Sequence, residues 1–360
     1  MKTIVHILYS GLGGHGSDFF SLVSGDTAGE YHHTAIFCGV EPMRQGYGEE
    51  CNRLGVPFTY VKKKQGADLG FYVRLGKEIK RASPDVLLVY GLSFLPSAVL
   101  YKKLRRRVPL LVRDTQAHHL KAKADWYWLK MAFRFADRIV VLSGESANYL
   151  TEKFKGRAVA KIIVIPNGID TDKYKPLTTG HAQVRTLGMQ SRLQVIKDHP
   201  VLLQAFAEVH RQHSGLKLEI AGDGPTMQNL QSITSGLSLS NVVRFHGMLP
   251  ENELIGFMHS LDLYIHATFG EMMSTSIMQA MACGLPVIAS DVWGVNNMIT
   301  DGQDGLLYQS GNAADLAGRI NLLLSDDALR VRLANAARET AVNRFSKQVL
   351  FNRYKELFGQ

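Results

Sequence analysis

The chain has 360 residues, 46% of them hydrophobic, and a formal charge of +9. That length and composition suit a soluble globular protein with material for two domains. Its three cysteines, Cys38, Cys51 and Cys283, are odd in number and lack metal-ligand spacing, which excludes a zinc module and fits buried thiols in a reducing cytosol.

In chain order, "TIVHILY" is a strand that runs into "SGLGGHGSDFF", where Gly11, Gly13 and Gly16 have G-x-G-x-x-G spacing. The strand is too short, and too quickly followed by glycines, to be a signal peptide. Spacing alone leaves two uses open. One is a nicotinamide dinucleotide site, with Glu41 placed to hold a ribose. The other is a backbone turn and helix start that touch any phosphate or charged substrate. Further strands follow: "HTAIFCGV", "PFTYV", "DVLLVY", "PLLVRD", "RIVVLS" and "KIIVIPNG", with helices such as 69–81 and 126–136 between them. This alternation predicts an α/β fold with a parallel sheet covered on both faces. The longest apolar run, from Asp85, is broken by Gly91 and Pro96 and reads as strand, turn and helix rather than a membrane span.

Pro166-Asn167-Gly168 and the polar dozen after it form the best domain boundary. A second alternation then begins, "VRTLGMQ", a helix over 199–213, "LKLEIAG", "NVVRFHG", "DLYIHAT" and "LPVIAS". Two successive open α/β sheets put a ligand cleft at the carboxyl ends of their strands. Charge divides along the same line. Up to Asp170 there are about 25 Lys and Arg against about 15 Asp and Glu, and the remainder is near neutral. The densest points are Lys62–Lys64 and Lys102, Lys103, Arg105, Arg106 and Arg107. A solvated surface and a polyanion-facing one both fit. Among polyanions an anionic membrane leaflet is favoured over nucleic acid, because no aromatic-basic RNA motif or zinc pattern appears.

Three stretches of the second half carry chemistry. In "GMQSRLQVIKDHP", Arg192 and Lys197 flank a loop between strand and helix, and a guanidinium fork beside an ammonium suits a diphosphate. "IAGDGP" is a tight architectural turn. In "ATFGEMMSTSIMQAMACG", a glycine turn presents Glu271 to accept hydrogen bonds from hydroxyls, and a helix opens with Ser274, Thr275 and Ser276, whose free N–H groups can hold a phosphate. Gln279, eight residues after Glu271, reaches a second set of hydroxyls.

"FGEMMSTSIMQAMACGLPVIASDVWG" resembles the E-x7-E region of retaining glycosyltransferases of family 4, also called glycosyl transferases group 1. The turn at Gly13-Gly14, "VIPNGID", "SRLQVIK", "IAGDGP" and "VRFHGMLPENEL" agree in the same order, so the resemblance covers nearly the whole chain. It implies the GT-B fold, two Rossmann-like doubly wound domains facing a central cleft. The expected division is 1–168 for the acceptor domain, 169–184 for a linker, 185–342 for the nucleotide-sugar domain and 343–360 for a helix crossing back to the first.

The resemblance implies a nucleotide-sugar donor, UDP-linked by family frequency. Its contacts would be Gly13, Gly14, Arg192, Lys197, Gly247, Met248, Glu271, Met273, Ser274, Thr275, Ser276 and Gln279. Three departures stand out. The second glutamate of the motif, which binds the donor ribose, is Gln279. The acid that often follows the next glycine turn is Asn297. The histidine expected after the fifth strand is not in its place, where Asp114, Gln116, His118 and His119 stand, and His118 is the candidate. The implied chemistry is same-face transfer with retention, the departing phosphate helping to take the acceptor proton. Arg192 and Lys197 would stabilise the leaving diphosphate, Glu271 would grip sugar hydroxyls, and no metal or other cofactor is expected. The acceptor would be a saccharide or lipid-linked saccharide at the cytosolic membrane face, in surface polysaccharide or lipopolysaccharide assembly. A GT-B epimerase and a nicotinamide oxidoreductase are the alternatives.

Overall fold

The computed structural model describes residues 1–11, 14–116, 121–155, 159–177 and 184–359. It divides into two compact units, Met1–Gly168 with Lys347–Gln360, and Ile169–Ser346.

The first unit contains β1 (Lys2–Tyr9), α1 (Gly14–Gly25), β2 (Tyr31–Gly39), α2 (Tyr47–Arg53), β3 (Phe58–Lys62), α3 (Leu69–Ala82), β4 (Val86–Val89), α4 (Leu95–Leu104), β5 (Leu110–Asp114), α5 (Lys123–Phe135), β6 (Arg138–Val141), α6 (Gly144–Lys153) and β7 (Ile162–Val164). All its strand pairs are parallel, in the order β3-β2-β1-β4-β5-β6-β7. Both faces are buried. Val5, Ile7, Leu87, Val89 and Val112 point into one core, while Ile4, Leu8, Val86, Leu88 and Leu111 point into the other. Successive strand residues face opposite ways, so a sheet covered on both sides needs unbroken apolar runs such as "VLLV".

The second unit contains β8 (Thr186–Gln190), α7 (His199–Gln212), β9 (Lys217–Ala221), α8 (Met227–Gly236), β10 (Val243–Phe245), α9 (Glu251–His259), β11 (Leu263–His266), α10 (Thr275–Ala282), β12 (Val287–Asp291), β13 (Leu306–Gln309), α11 (Ala313–Ser325) and α12 (Asp327–Phe345). Its sheet is also parallel, ordered β10-β9-β8-β11-β12-β13. The four-residue strand β13 is absent from the sequence reading. Its edge position leaves half of "LLYQ" outside the core, so it lacks the long apolar run of a central strand. Asp326 caps α12, accepting from the Leu329 N–H at 2.8 Å.

The last helix, α13 (Lys347–Phe358), belongs to the first unit. Leu350, Phe351, Tyr354, Leu357 and Phe358 recur at helical spacing and cover Phe19, Leu22 and Val23 of α1. Two boundaries move from the sequence reading. Residues 343–345 are the end of α12, and the returning helix starts at 347. The start of the 169–184 segment is packed into the second unit. The Ile169 N–H donates to the Phe345 carbonyl at 2.8 Å, and Ile169 and Tyr174 are buried. The Arg338 guanidinium donates to the carbonyls of Thr171 and Tyr174, which holds this segment in place.

A buried polar cluster ties the first unit's boundary together. Arg113 of β5 donates to Asp18 of α1 at 3.0 Å, to Asn167 at 2.6 Å, and to the Tyr354 hydroxyl of α13. Asp18 also accepts from the Gly168 N–H at 3.3 Å. Nothing in "PLLVRD" signals this role. Arg113 becomes intelligible only once residues distant in sequence surround it.

Candidate functional site

In the second sheet β8 and β11 are neighbours, and the chain builds outward from them in opposite directions. Such a reversal leaves a crevice beyond the carboxyl ends of the two strands, where open α/β sheets bind ligands. The loop after β8 carries Arg192 and Lys197, and the loop after β11 carries Glu271.

Both loops are fastened by backbone contacts. The Ser191 N–H donates to the Ala221 carbonyl at 3.0 Å and the Leu193 N–H to that of Asp223 at 2.9 Å. Gly222 and Gly224 have φ of 139° and 157°, and a Cβ on either would overlap the carbonyl of Ser191 or Leu193. The "GDG" turn therefore supports the basic loop from below, which only glycine permits. Across the crevice, the Phe269 N–H and the Thr268 hydroxyl both donate to the Ile196 carbonyl at 2.9 Å. These bonds join the two loops and bring together residues 74 positions apart.

The result is a charged cluster. Lys197 is buried, and its Nζ donates to Glu271 Oε2. Nε2 of His266, the last residue of β11, lies 3.5 Å from the same oxygen. Burial, and secondarily the positive charge of Arg192, pull the Lys197 ammonium down to about 7. Burial and the Lys197 charge hold His266 well below the ordinary histidine value, so its ring is neutral. His199, whose Nε2 is 3.0 Å from the Ser191 hydroxyl, is pushed down to about 4 by burial and then by Lys197. Arg192 is exposed and makes no ion pair among the described residues. The site thus holds a surplus of cationic capacity with one carboxylate to satisfy it.

Helix α10 borders the crevice. Ser274 is its N-cap, with a hydroxyl that accepts from the Ile277 N–H at 3.4 Å and an N–H that donates to Met298 Sδ at 3.2 Å. The Ser274 hydroxyl is thereby engaged with its own helix and its N–H with Met298. The N–H groups of Thr275 and Ser276 remain for an anion. The Ser276 hydroxyl is 3.0 Å from that of Ser274. Gln279 is buried and stands one turn beyond Thr275 and Ser276 on the same helix face. Met273 is buried, Met248 is half exposed, and the Gly247 carbonyl accepts from the Gly222 N–H at 2.7 Å. Gly294, at φ 88°, presses on the Glu271 backbone and fixes the turn from the other side.

Four residues escaped sequence reading. His266 and His199 lie within the cluster. Gln190 ends β8 with a buried, unpartnered Oε1, and Phe269 stands half exposed beside Glu271. The position of His266 and Gln190 at the last residue of the two switch-point strands is the signal that could have found them.

In the first unit, Gly13, His118 and His119 lie outside the described residues, while Gly14 opens α1. Asp114 is buried and paired with Lys121 at 2.7 Å, so its carboxylate is already engaged. Gly11 and Gly16 are required by close packing, the first against Tyr9 and Glu41 and the second against Tyr47. The basic run is not one helical surface. Because α4 ends at Leu104, Arg105, Arg106 and Arg107 lie beyond it. Lys102 is paired with Asp137, and Lys103 sits 4.6 Å from the Phe135 ring centroid. Among the described residues no group of three or more His, Cys, Asp or Glu is placed to hold a metal ion, and no helix is long and apolar enough to cross a membrane.

Known proteins resemble this chain along most of its length. The model of glycosyl transferases group 1 matches residues 181–340, and that of glycosyltransferase family 4 matches residues 24–173. An exopolysaccharide phosphotransferase of Streptomyces coelicolor is 32% identical over 89% of this chain and 34% of its own length. The lipopolysaccharide core biosynthesis glycosyltransferase LpsE of Rhizobium meliloti is 29% identical over 78% of this chain and 77% of its own. The chain spans between a third and three fifths of the first curated relatives it matches, 34% of one and 58% of another. Among solved structures, Anabaena HepE in complex with UDP-glucose superposes with a TM-score of 0.84 over 100% of both chains at 21% identity. The outer core galactosyltransferase WaaB gives 0.74 over 99% of both at 17% identity. The two Rossmann-like units have the GT-B fold. With both halves matched in tandem, the chain belongs to the glycosyltransferases of the group 1 and family 4 type.

Proposed function

We propose that this glycosyltransferase takes a hexose from a UDP-sugar and transfers it, with retention and without a metal ion, to a saccharide or lipid-linked saccharide in surface polysaccharide or lipopolysaccharide assembly. The observation that carries this reading is the convergence of Arg192, Lys197, Glu271 and the start of α10 at the β8/β11 switch point. Support for the base and pathway comes from relatives, since HepE is described in complex with UDP and UDP-glucose, and LpsE as a lipopolysaccharide core enzyme.

In this reading Arg192, Lys197 and the Thr275 and Ser276 N–H groups receive the charge that builds on the departing diphosphate. Lys197 then shares its protons between phosphate and Glu271. Glu271, held from two sides, accepts from donor-sugar hydroxyls rather than attacking carbon. A phosphate oxygen of the leaving group takes the proton of the acceptor hydroxyl as the new bond forms on the same face. Gln279 accepts from the ribose. The setting is the cytosol, at the inner face of the membrane.

A thermal-shift panel of nucleoside diphosphates and nucleotide sugars tests the donor. A bound donor at a hundredfold excess over its Kd stabilises by about 2.7 kcal/mol. UDP and one UDP-sugar should shift the melt, and no response to any nucleotide would end the reading. Product anomers, followed by NMR, test retention. Sugar rearranged without any acceptor would replace transfer with epimerisation. Activity should persist in excess chelator, and loss restored by magnesium or manganese would show a metal-dependent reaction.

A further inference from the structure

Helices α3 and α4 lie side by side over one face of the first sheet. Their inner residues, Phe71, Leu75 and Ile79 with Leu95, Ala98 and Val99, enter the same core, and the Ser97 hydroxyl donates to the Tyr72 carbonyl at 2.9 Å. Their outer face is unusual. Leu69 is 82% exposed, Val73 61%, Leu100 60% and Leu104 75%. No other Leu, Ile or Val among the described residues of this unit is exposed by half. Each pair is spaced i, i+4 and so shares one helix face.

These two helices and the segments that flank them carry the densest positive charge. Residues 62–81 hold seven basic and two acidic side chains, and both acids are already paired, Asp68 with Arg74 at 2.8 Å and Glu78 with Arg81 at 3.0 Å. Residues 102–107 hold five basic side chains and no acid. Lys102 is committed to Asp137, which leaves Lys103 and Arg105–Arg107 exposed alongside Leu104.

We infer that the outer face of the α3–α4 layer docks on an anionic membrane surface. The exposed basic residues meet lipid headgroups, and Leu69, Val73, Leu100 and Leu104 enter the boundary between headgroups and acyl chains. Charge alone would serve any polyanion, and exposed aliphatics alone would serve any apolar partner. Their combination on one helical layer and the segments flanking it is what an anionic bilayer complements. The inference rests on the proposed membrane-side setting and gives it a surface. Vesicle binding is read without turnover, so its failure leaves the transferase reading standing.

The experiment is co-sedimentation with phosphatidylcholine vesicles and with vesicles containing phosphatidylglycerol, at low and high salt. The wild-type chain should bind only the anionic vesicles and lose most binding at high salt. R105Q/R106Q/R107Q should lower partitioning roughly a hundredfold. L69Q/L104Q should lower it roughly tenfold with all charges kept. R211Q/K217Q, in the second unit, should bind as wild type. Melting curves of all three variants should overlay the wild-type curve, since every substituted side chain is exposed. Absence of binding to phosphatidylglycerol at low salt overturns the inference. So does equal binding by the leucine variant, which would mark a purely electrostatic polyanion surface. A wild-type dimer that L69Q/L104Q converts to monomer would give the face to a second copy of the chain instead.

Discussion

Arg113 in the first unit and Lys197 in the second are both buried cations near the carboxyl ends of central strands, and both touch a carboxylate. Their surroundings differ. Arg113 is enclosed by Asp18, Asn167 and Tyr354, and although burial pulls its pKa down, Asp18 and then Tyr354 outweigh that and hold it above the ordinary arginine value. Lys197 has Glu271 as its carboxylate, with Arg192 adding a like charge, and burial wins. A cation ringed by acceptors is a fastening. A cation short of acceptors, at a switch point, has capacity left for an anionic ligand.

Removing a partner should separate the two sites most sharply. Asp18→Ala leaves Arg113 buried and uncompensated, and should cost about 3–5 kcal/mol of stability. Denaturant unfolding measures it, and a loss under about 1 kcal/mol would mean the cluster fastens nothing. Lys197→Ala and Arg192→Ala should show the reverse pattern. Each removes a charged hydrogen bond worth about 1.5–3 kcal/mol to bound diphosphate, so turnover should fall at least tenfold while the unfolding midpoint of the Arg192 variant stays put. Wild-type turnover in either variant would remove that residue from the site.

Gln279 sharpens the comparison on the acceptor side. Gln279→Leu leaves donor hydroxyls unpaired and should weaken donor binding by about 1–3 kcal/mol, whereas Gln279→Glu should bind as well as wild type or better. Calorimetric titration decides, and equal affinity in all three proteins would show that Gln279 does not touch the donor.

The smallest effect concerns protons. The folded-state pKa of Lys197 lies below its unfolded value of 10.5, so the folded chain favours the neutral amine. The stability this group contributes is therefore greatest above pH 10.5 and falls as pH drops toward about 7, below which it is flat. A diphosphate favours the charged form and raises the pKa again. Donor binding should then take up a proton above about pH 7, and affinity should fall by at most tenfold per pH unit as pH rises through that window. Calorimetry in two buffers of different ionisation enthalpy reads the uptake, and Lys197→Met should abolish it.

Much of this was readable locally. The strands of both sheets announced themselves because a parallel sheet buried on two faces needs continuous apolar runs, and β13 did not because it sits at an edge. Arg192, Lys197 and Glu271 were readable because each follows a strand end in a short loop with its own turn residues. Gln190, His199 and His266 were not, since each reads as an ordinary residue of a strand end or helix start until the opposite loop is placed against it. The basic run at 102–107 was readable as a dense point of charge, but not that Asp137 takes Lys102 or that the helix stops at Leu104.

By itself the sequence determined what depends on neighbours along the chain. That includes the alternation of strand and helix, the glycine turns that only a residue without Cβ can make, and the caps at Ser274 and Asp326. Only the tertiary structure decided which loops meet. The pairing of β8 with β11 sets Lys197 against a carboxylate 74 residues away, and enclosure by both loops removes the water that would hold its charge. The same packing chose which leucines of α3 and α4 were covered and which were left facing out. Desolvation and contact between distant segments are properties of the folded surroundings, and no residue carries them alone.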